Sequence, residues 1–139
     1  MRAGLGTLII ILVFLQACKK PPVDSKVFVE RHLEGLWRLN ATVYIDKKNN
    51  DTLRNDTISL ANDTTAFTKD LYFLHHNLVQ AFQVDEMGAS IRFVAMPDSV
   101  WSIDYLRKAN FRLVHTRKDT LMGNTYQYEI SRVFTKLSY

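Results

Sequence analysis

Few residues in this 139-residue chain carry reactive chemistry, and their spacing limits what they can do. His75-His76, with His115 from another segment, raises the question of metal ligation. Adjacent residues on a strand point to opposite faces, so the pair can act together only from a turn. With no helical His-x-x-x-His spacing, a solvent-facing turn without a metal is expected there, and His32 is expected at the surface. Asp85-Glu86 precedes Gly88 in a loop, where solvation accounts for paired carboxylates. No Gly-x-Ser-x-Gly elbow, phosphate-binding glycine loop or dinucleotide fingerprint occurs, so neither a catalytic residue nor a cofactor is expected. That leaves the only cysteine, Cys18, as the outstanding reactive group.

Cys18 ends an apolar N-terminal run. Arg2 supplies a positive charge, residues 5–15 are apolar apart from Gly6 and Thr7, and Cys18-Lys19-Lys20-Pro21-Pro22 closes the segment. This is the layout of a secretory signal, and it falls short of the roughly 20 apolar residues that a membrane helix needs. Leu15-Gln16-Ala17-Cys18 resembles the bacterial lipobox. The resemblance implies that the thiol receives a diacylglycerol, that the bond before it is cut and that Cys18 becomes the acylated first residue. An exported protein with one cysteine forms no internal disulfide, and acylation removes the anomaly of a free thiol in an oxidising compartment. Residues 1–17 are therefore assigned to a lipoprotein signal peptide and residues 18–25 to a lipidated tether stiffened by Pro21-Pro22. Residues 26–139 remain for one domain.

Cleavage would remove one basic residue, so the modest excess of 18 Lys and Arg over 14 Asp and Glu persists. The charges are interleaved rather than gathered on one face, which argues against a nucleic-acid partner. Lys19-Lys20 beside the lipid favours anionic headgroups. Surface-exported lipoproteins of Bacteroidota often carry acids just after the cysteine, and the basic pair here implies the outer membrane's periplasmic face.

A second pattern combines aspartate, a hydroxyl residue and then an apolar residue or threonine. It occurs at Asp51-Thr52-Leu53, Asp56-Thr57-Ile58, Asp63-Thr64-Thr65, Asp98-Ser99-Val100 and Asp119-Thr120-Leu121. It resembles the O-glycosylation site of exported Bacteroidota proteins, which implies Thr52, Thr57, Thr64, Ser99 and Thr120 as acceptors. The same residues also cap turns through side-chain hydrogen bonds, and both readings stand. The Asn-x-Thr sequences at Asn40, Asn55 and Asn62 are coincidental in a bacterial lipoprotein.

The elements that must position these groups are mostly strands. Residues 24–34 fit a short helix capped by Asp24 or Ser25, with Val27, Phe28 and Leu33 on its apolar face, although Val27-Phe28-Val29 also suits a strand. Trp37, Leu39, Ala41, Val43 and Ile45 then alternate with polar neighbours, the period of a strand with one buried face. Seven further strand-like runs follow at 52–60, 71–74, 78–84, 91–96, 100–105, 111–116 and 125–137, joined by short turn-rich segments. Short connections imply antiparallel neighbours in a meander, and closure removes the two exposed edges. The expected fold is all-β, an eight-stranded antiparallel up-and-down barrel with a short N-terminal helix; a two-sheet sandwich is the alternative.

Gly35-Leu36-Trp37-Arg38-Leu39 resembles the Gly-x-Trp opening of lipocalin-like domains. Val100-Trp101-Ser102-Ile103 through Phe111-Arg112-Leu113, with the close Tyr126 to Phe134-Thr135-Lys136, is similar to the lipocalin-like lipoproteins of Bacteroidota. No basic residue is identified as the stacking partner of Trp37. The resemblance implies a membrane-anchored envelope lipoprotein that binds a small apolar ligand or a partner protein without catalysis. Trp37, Phe82, Phe93, Trp101, Phe111, Tyr126 and Tyr128 would line or plug the interior. Barrels of this size either hold one small ligand or are filled by their own side chains. A structural or assembly lipoprotein with a solid barrel, docking onto an envelope complex, is the alternative function.

Overall fold

The computed structural model describes residues 25–138. The expected signal peptide, Cys18 and all but the last residue of the expected tether lie outside the described residues. One short helix, α1 (Lys26–Leu33), precedes eight strands: β1 (Gly35–Lys48), β2 (Asp51–Phe67), β3 (Tyr72–His75), β4 (Leu78–Val84), β5 (Ser90–Phe93), β6 (Val100–Leu106), β7 (Asn110–Leu121) and β8 (Asn124–Ser138). Each strand pairs antiparallel with the next and β8 returns to β1, giving a closed up-and-down barrel rather than a sandwich. Closure gives the backbone of every strand a neighbour on both sides, which is why the meander does not stop as an open sheet.

The helix begins at Ser25, whose hydroxyl accepts a hydrogen bond from the Phe28 amide. Its buried face is Val29 and Leu33, one turn apart, whereas Val27 is 46% exposed. The apolar face is thus rotated from the one expected, because residues four apart share a helical face and Val27 lies off that stripe. Leu33 is fully buried in the same core cluster as Trp37, Phe67, Phe111 and Phe134.

The strands differ greatly in length. The turn expected over 47–51 is reduced to Asn49-Asn50, both with positive φ, as a two-residue hairpin of mirror-image turn type demands. Likewise the connection expected over 118–124 shrinks to Met122-Gly123. The strand expected over 52–60 continues to Phe67, carried past Asn62, whose left-handed φ of 61° marks a register shift. In contrast, the run at 91–96 pairs only as far as Phe93. The result is one tall wall, β2-β1-β8-β7, and one low wall, β3 to β6. Asn49 ties the two tall hairpins together: its backbone amide donates to Thr125 O at 2.8 Å, its side-chain amide donates to Asn124 at 2.8 Å, and its side-chain oxygen accepts from the Thr125 amide at 2.9 Å.

Candidate functional site

The base of the barrel is filled. Trp37 meets the edge of Phe111 at 4.5 Å, and Phe111 stacks flat on Phe134 at 4.4 Å. Phe67, Phe73, Phe82 and Phe93 continue this aromatic core, with centroid separations of 5.1–5.3 Å. Offset and edge-on pairs of this kind pack densely, so of the residues expected to line or plug the interior, Trp37, Phe82, Phe93 and Phe111 are plugs. The indole N–H of Trp37 donates to Leu33 O at 2.6 Å, and the Lys136 ammonium lies 4.9 Å over the same ring while donating to His32 O at 3.2 Å. These two donors satisfy carbonyls at the C-terminal end of α1 that the helix itself leaves unpaired. Lys136 is the stacking cation of Trp37, found only once β8 closes against β1 at Trp37↔Lys136. Burial holds its pKa below the ordinary lysine value, and Glu34 opposes that shift.

Above the base the interior becomes polar. Along β8 the inward side chains are Phe134, Arg132, Ile130, Tyr128 and Tyr126, facing Phe111, Leu113, His115, Arg117 and Asp119 of β7. The same pleat on β1 brings in Thr42, Tyr44, Asp46 and Lys48 after a bulge beyond Leu39. Arg132 is the deepest cation of this face. Its guanidinium lies 4.7 Å over the Trp101 ring, and Trp101 in turn sits 5.4 Å from the His115 ring. Burial lowers the Arg132 pKa from the usual value, while Tyr44 and Asp63 act to raise it. Arg132 Nε is buried with no hydrogen-bond partner, as is Thr65 Oγ1 on the inner face of β2. Sequence reasoning missed Arg132; the alternation of residues 126–134 could have placed it inward with Phe134.

The mouth opens over these residues. His115, Arg117, Asp119, Tyr128 and Ile130 line a concavity of about 380 Å³ one pleat above Arg132. It adjoins a shallower hollow of about 590 Å³ over residues 95–99, which shares His115 and Arg117. Tyr126 and Tyr128 face inward on the tall wall near its tip, Tyr128 remaining 40% exposed. Arg54 pairs with Asp56 at 2.6 Å and lies 5.1 Å over Tyr44, and Arg117 pairs with Asp119 at 2.9 Å. Arg54 and Arg117 at the rim are therefore paired, whereas no ion pair holds the deeper Arg132 among the described residues and Asp63 acts on it only through its charge.

The other groups singled out in the sequence separate clearly. Thr52, Thr57, Thr64 and Thr120 are exposed on outward pleats of the long strands, Thr52 and Thr120 each one residue from a strand end. Ser99 differs: its hydroxyl accepts the Trp101 indole N–H at 2.9 Å. The aspartates preceding Thr57, Thr64 and Thr120 are engaged by Arg54, His75 and Arg117 rather than by turn amides. Asp85 is a turn organiser, accepting the Ala89 and Ser90 amides at 2.6 and 3.0 Å, and Glu86 meets Lys26. His75 closes β3 and His76 begins the following turn. His32 is part-buried: it stacks on Phe28 at 3.8 Å. Among the described residues no helix is long and apolar enough to cross a membrane. Comparison with known protein families, with curated proteins and with solved structures finds no match for this chain.

Proposed function

We propose that this chain is a lipocalin-like lipoprotein of a bacterial envelope, anchored by acylated Cys18, whose barrel mouth binds a small, mostly apolar molecule bearing an acidic group. The binding is non-catalytic. The observation that carries this reading is Arg132: a part-buried guanidinium on an aromatic face, beneath an open concavity, whose buried Nε is unpartnered among the described residues. Desolvating a cation without a hydrogen-bonded counterion is costly, and an anionic ligand group reaching it would offset that cost. Ile130, Tyr44, Tyr128 and Trp101 supply the apolar and aromatic surface that sites of this type use around a few polar groups. Leu15-Gln16-Ala17-Cys18 supports the anchor, and Lys19-Lys20-Pro21-Pro22 favours attachment to the outer membrane's periplasmic leaflet.

Trp101 fluorescence provides the test. A medium-chain fatty carboxylate should change the emission, and the matching alcohol should bind at least about tenfold more weakly, since a hydrogen bond to a charged group is worth about 1.5–3 kcal/mol. Trp101→Phe should abolish the signal and Trp37→Phe should keep it. Equal affinity for acid and alcohol would remove the role given to Arg132, and binding of neither would remove the ligand reading. Mass spectrometry of the mature protein should show a chain beginning at acylated Cys18.

The filled aromatic base favours a second reading, a structural lipoprotein that docks onto an envelope complex. Native mass spectrometry of protein taken from its host separates the two. A bound small molecule supports the first; fixed stoichiometric partners with no small molecule support the second.

A further inference from the structure

We infer that Asp63, His75 and His76 form a zinc-binding site at the low rim of the barrel. The histidine pair was expected to face solvent without a metal, because neighbouring strand residues diverge. Here the strand ends between them. His75 is the last residue of β3 and points inward, like Phe73 before it, while His76 has a positive φ of 52° that swings its ring back toward His75. The two ring centroids are 4.3 Å apart.

Both rings converge on one carboxylate. His75 Nε2 lies 2.7 Å from Asp63 Oδ1 and His76 Nε2 lies 3.1 Å from the same oxygen. One ligand atom from each residue falls within 4.8 Å of the other two. Zinc bonds to imidazole nitrogen and carboxylate oxygen are about 2.0–2.2 Å, so tetrahedral ligand atoms stand about 3.3 Å apart. Each imidazole nitrogen need move only about 0.2–0.6 Å from Asp63 Oδ1 to reach that spacing.

Two imidazole nitrogens and a carboxylate oxygen gathered at one point are also the donor set that zinc takes. A bound dication lets both rings remain neutral and donate lone pairs to the same point. Exposure is graded in a way that suits this: Asp63 is 14% exposed, His75 27% and His76 71%, leaving the fourth coordination position open to water. The site would therefore be an exchangeable one with three protein ligands and an open position. Asp63 is held inward by the β2 register shift at Asn62, which places the bulge next to the metal position.

Isothermal titration of the full chain in detergent with Zn²⁺ alone should give one equivalent of binding. Asp63→Asn and His76→Asn should each weaken it at least about tenfold, the scale on which changes around a metal register, while asparagine tolerates the left-handed backbone at position 76. His32→Gln should leave it unchanged. Co²⁺ in place of Zn²⁺ should give visible absorption that the same two variants lose. Absence of both signals in the unmodified chain would overturn the site, as would binding that survives Asp63→Asn and His76→Asn with far-ultraviolet circular dichroism unaltered.

Discussion

The Arg132 guanidinium lies 4.7 Å above the Trp101 ring, yet its Nε meets no hydrogen-bond acceptor among the described residues. A cation–π contact returns about 0.5–2 kcal/mol, less than the several kcal/mol that a desolvated ion costs. We therefore expect Arg132→Met to unfold at no lower urea concentration than wild type while losing preference for an acidic ligand. A large loss of stability would mean that Arg132 serves the fold rather than a ligand.

Trp37 has two separable roles, filling the base and donating to Leu33 O. Trp37→Ala should destabilise by about 3–5 kcal/mol through the cavity it opens. Trp37→Phe keeps most of the volume and should lose about 1–3 kcal/mol by leaving that carbonyl unpaired. Chemical denaturation monitored by circular dichroism distinguishes the two.

Gly88 and Gly123 both have positive φ, 69° and 77°, but only Gly88 is enclosed. A Cβ at Gly88 would sit 2.9 Å from Val29 Cγ2 and 3.0 Å from the Ser25 backbone, whereas at Gly123 nothing lies within 4 Å. Gly123→Ala should cost about 1–2 kcal/mol from backbone strain alone. Gly88→Ala should cost about 2–5 kcal/mol because overpacking against α1 is added to the strain. Thermal melts of the two variants should show the larger drop for Gly88→Ala.

Lys136 predicts a pH dependence. Burial depresses its pKa in the folded state, so the unfolded chain binds more protons in the window below the ordinary lysine value of about 10.4. Stability from this group therefore rises as pH increases through the folded pKa toward that value. Comparing urea midpoints of wild type and Lys136→Met, we expect the difference to move in favour of wild type on going from neutral to alkaline pH. A constant difference would contradict the depressed pKa.

Asn49 joins the tips of the two tall hairpins through Asn124 and Thr125. Asn49→Gly keeps the positive φ but removes both side-chain bonds, each worth about 0.5–1.5 kcal/mol at most in a solvated setting. Hydrogen exchange of the amides of 44–54 and 120–128 should accelerate in this variant, while the amides of the barrel base stay protected. Uniform acceleration would show that the tips are not a separate unit.

The alternation of Trp37, Leu39 and the residues that follow, with short turn-rich connections, determined the antiparallel meander, and the pairing of β8 with β1 decided for a closed barrel over a sandwich. The Asn49-Asn50 and Met122-Gly123 turns were harder to recognise. Their flanks are polar, and a strand whose two faces both meet solvent carries no burial signal, so β2 and β7 run longer than their hydrophobic pattern. Cys18 and its neighbours remain a property of the sequence alone. Pairing across distant strands decided the rest: Lys136 reaches Trp37 only when β8 meets β1, and Arg132 reaches Trp101 only across β7. His75 and His76 were visible as a pair from the start. Only the end of β3 and the inward turn of Asp63 bring them to one point, because the direction of a side chain at a strand end depends on a single backbone angle.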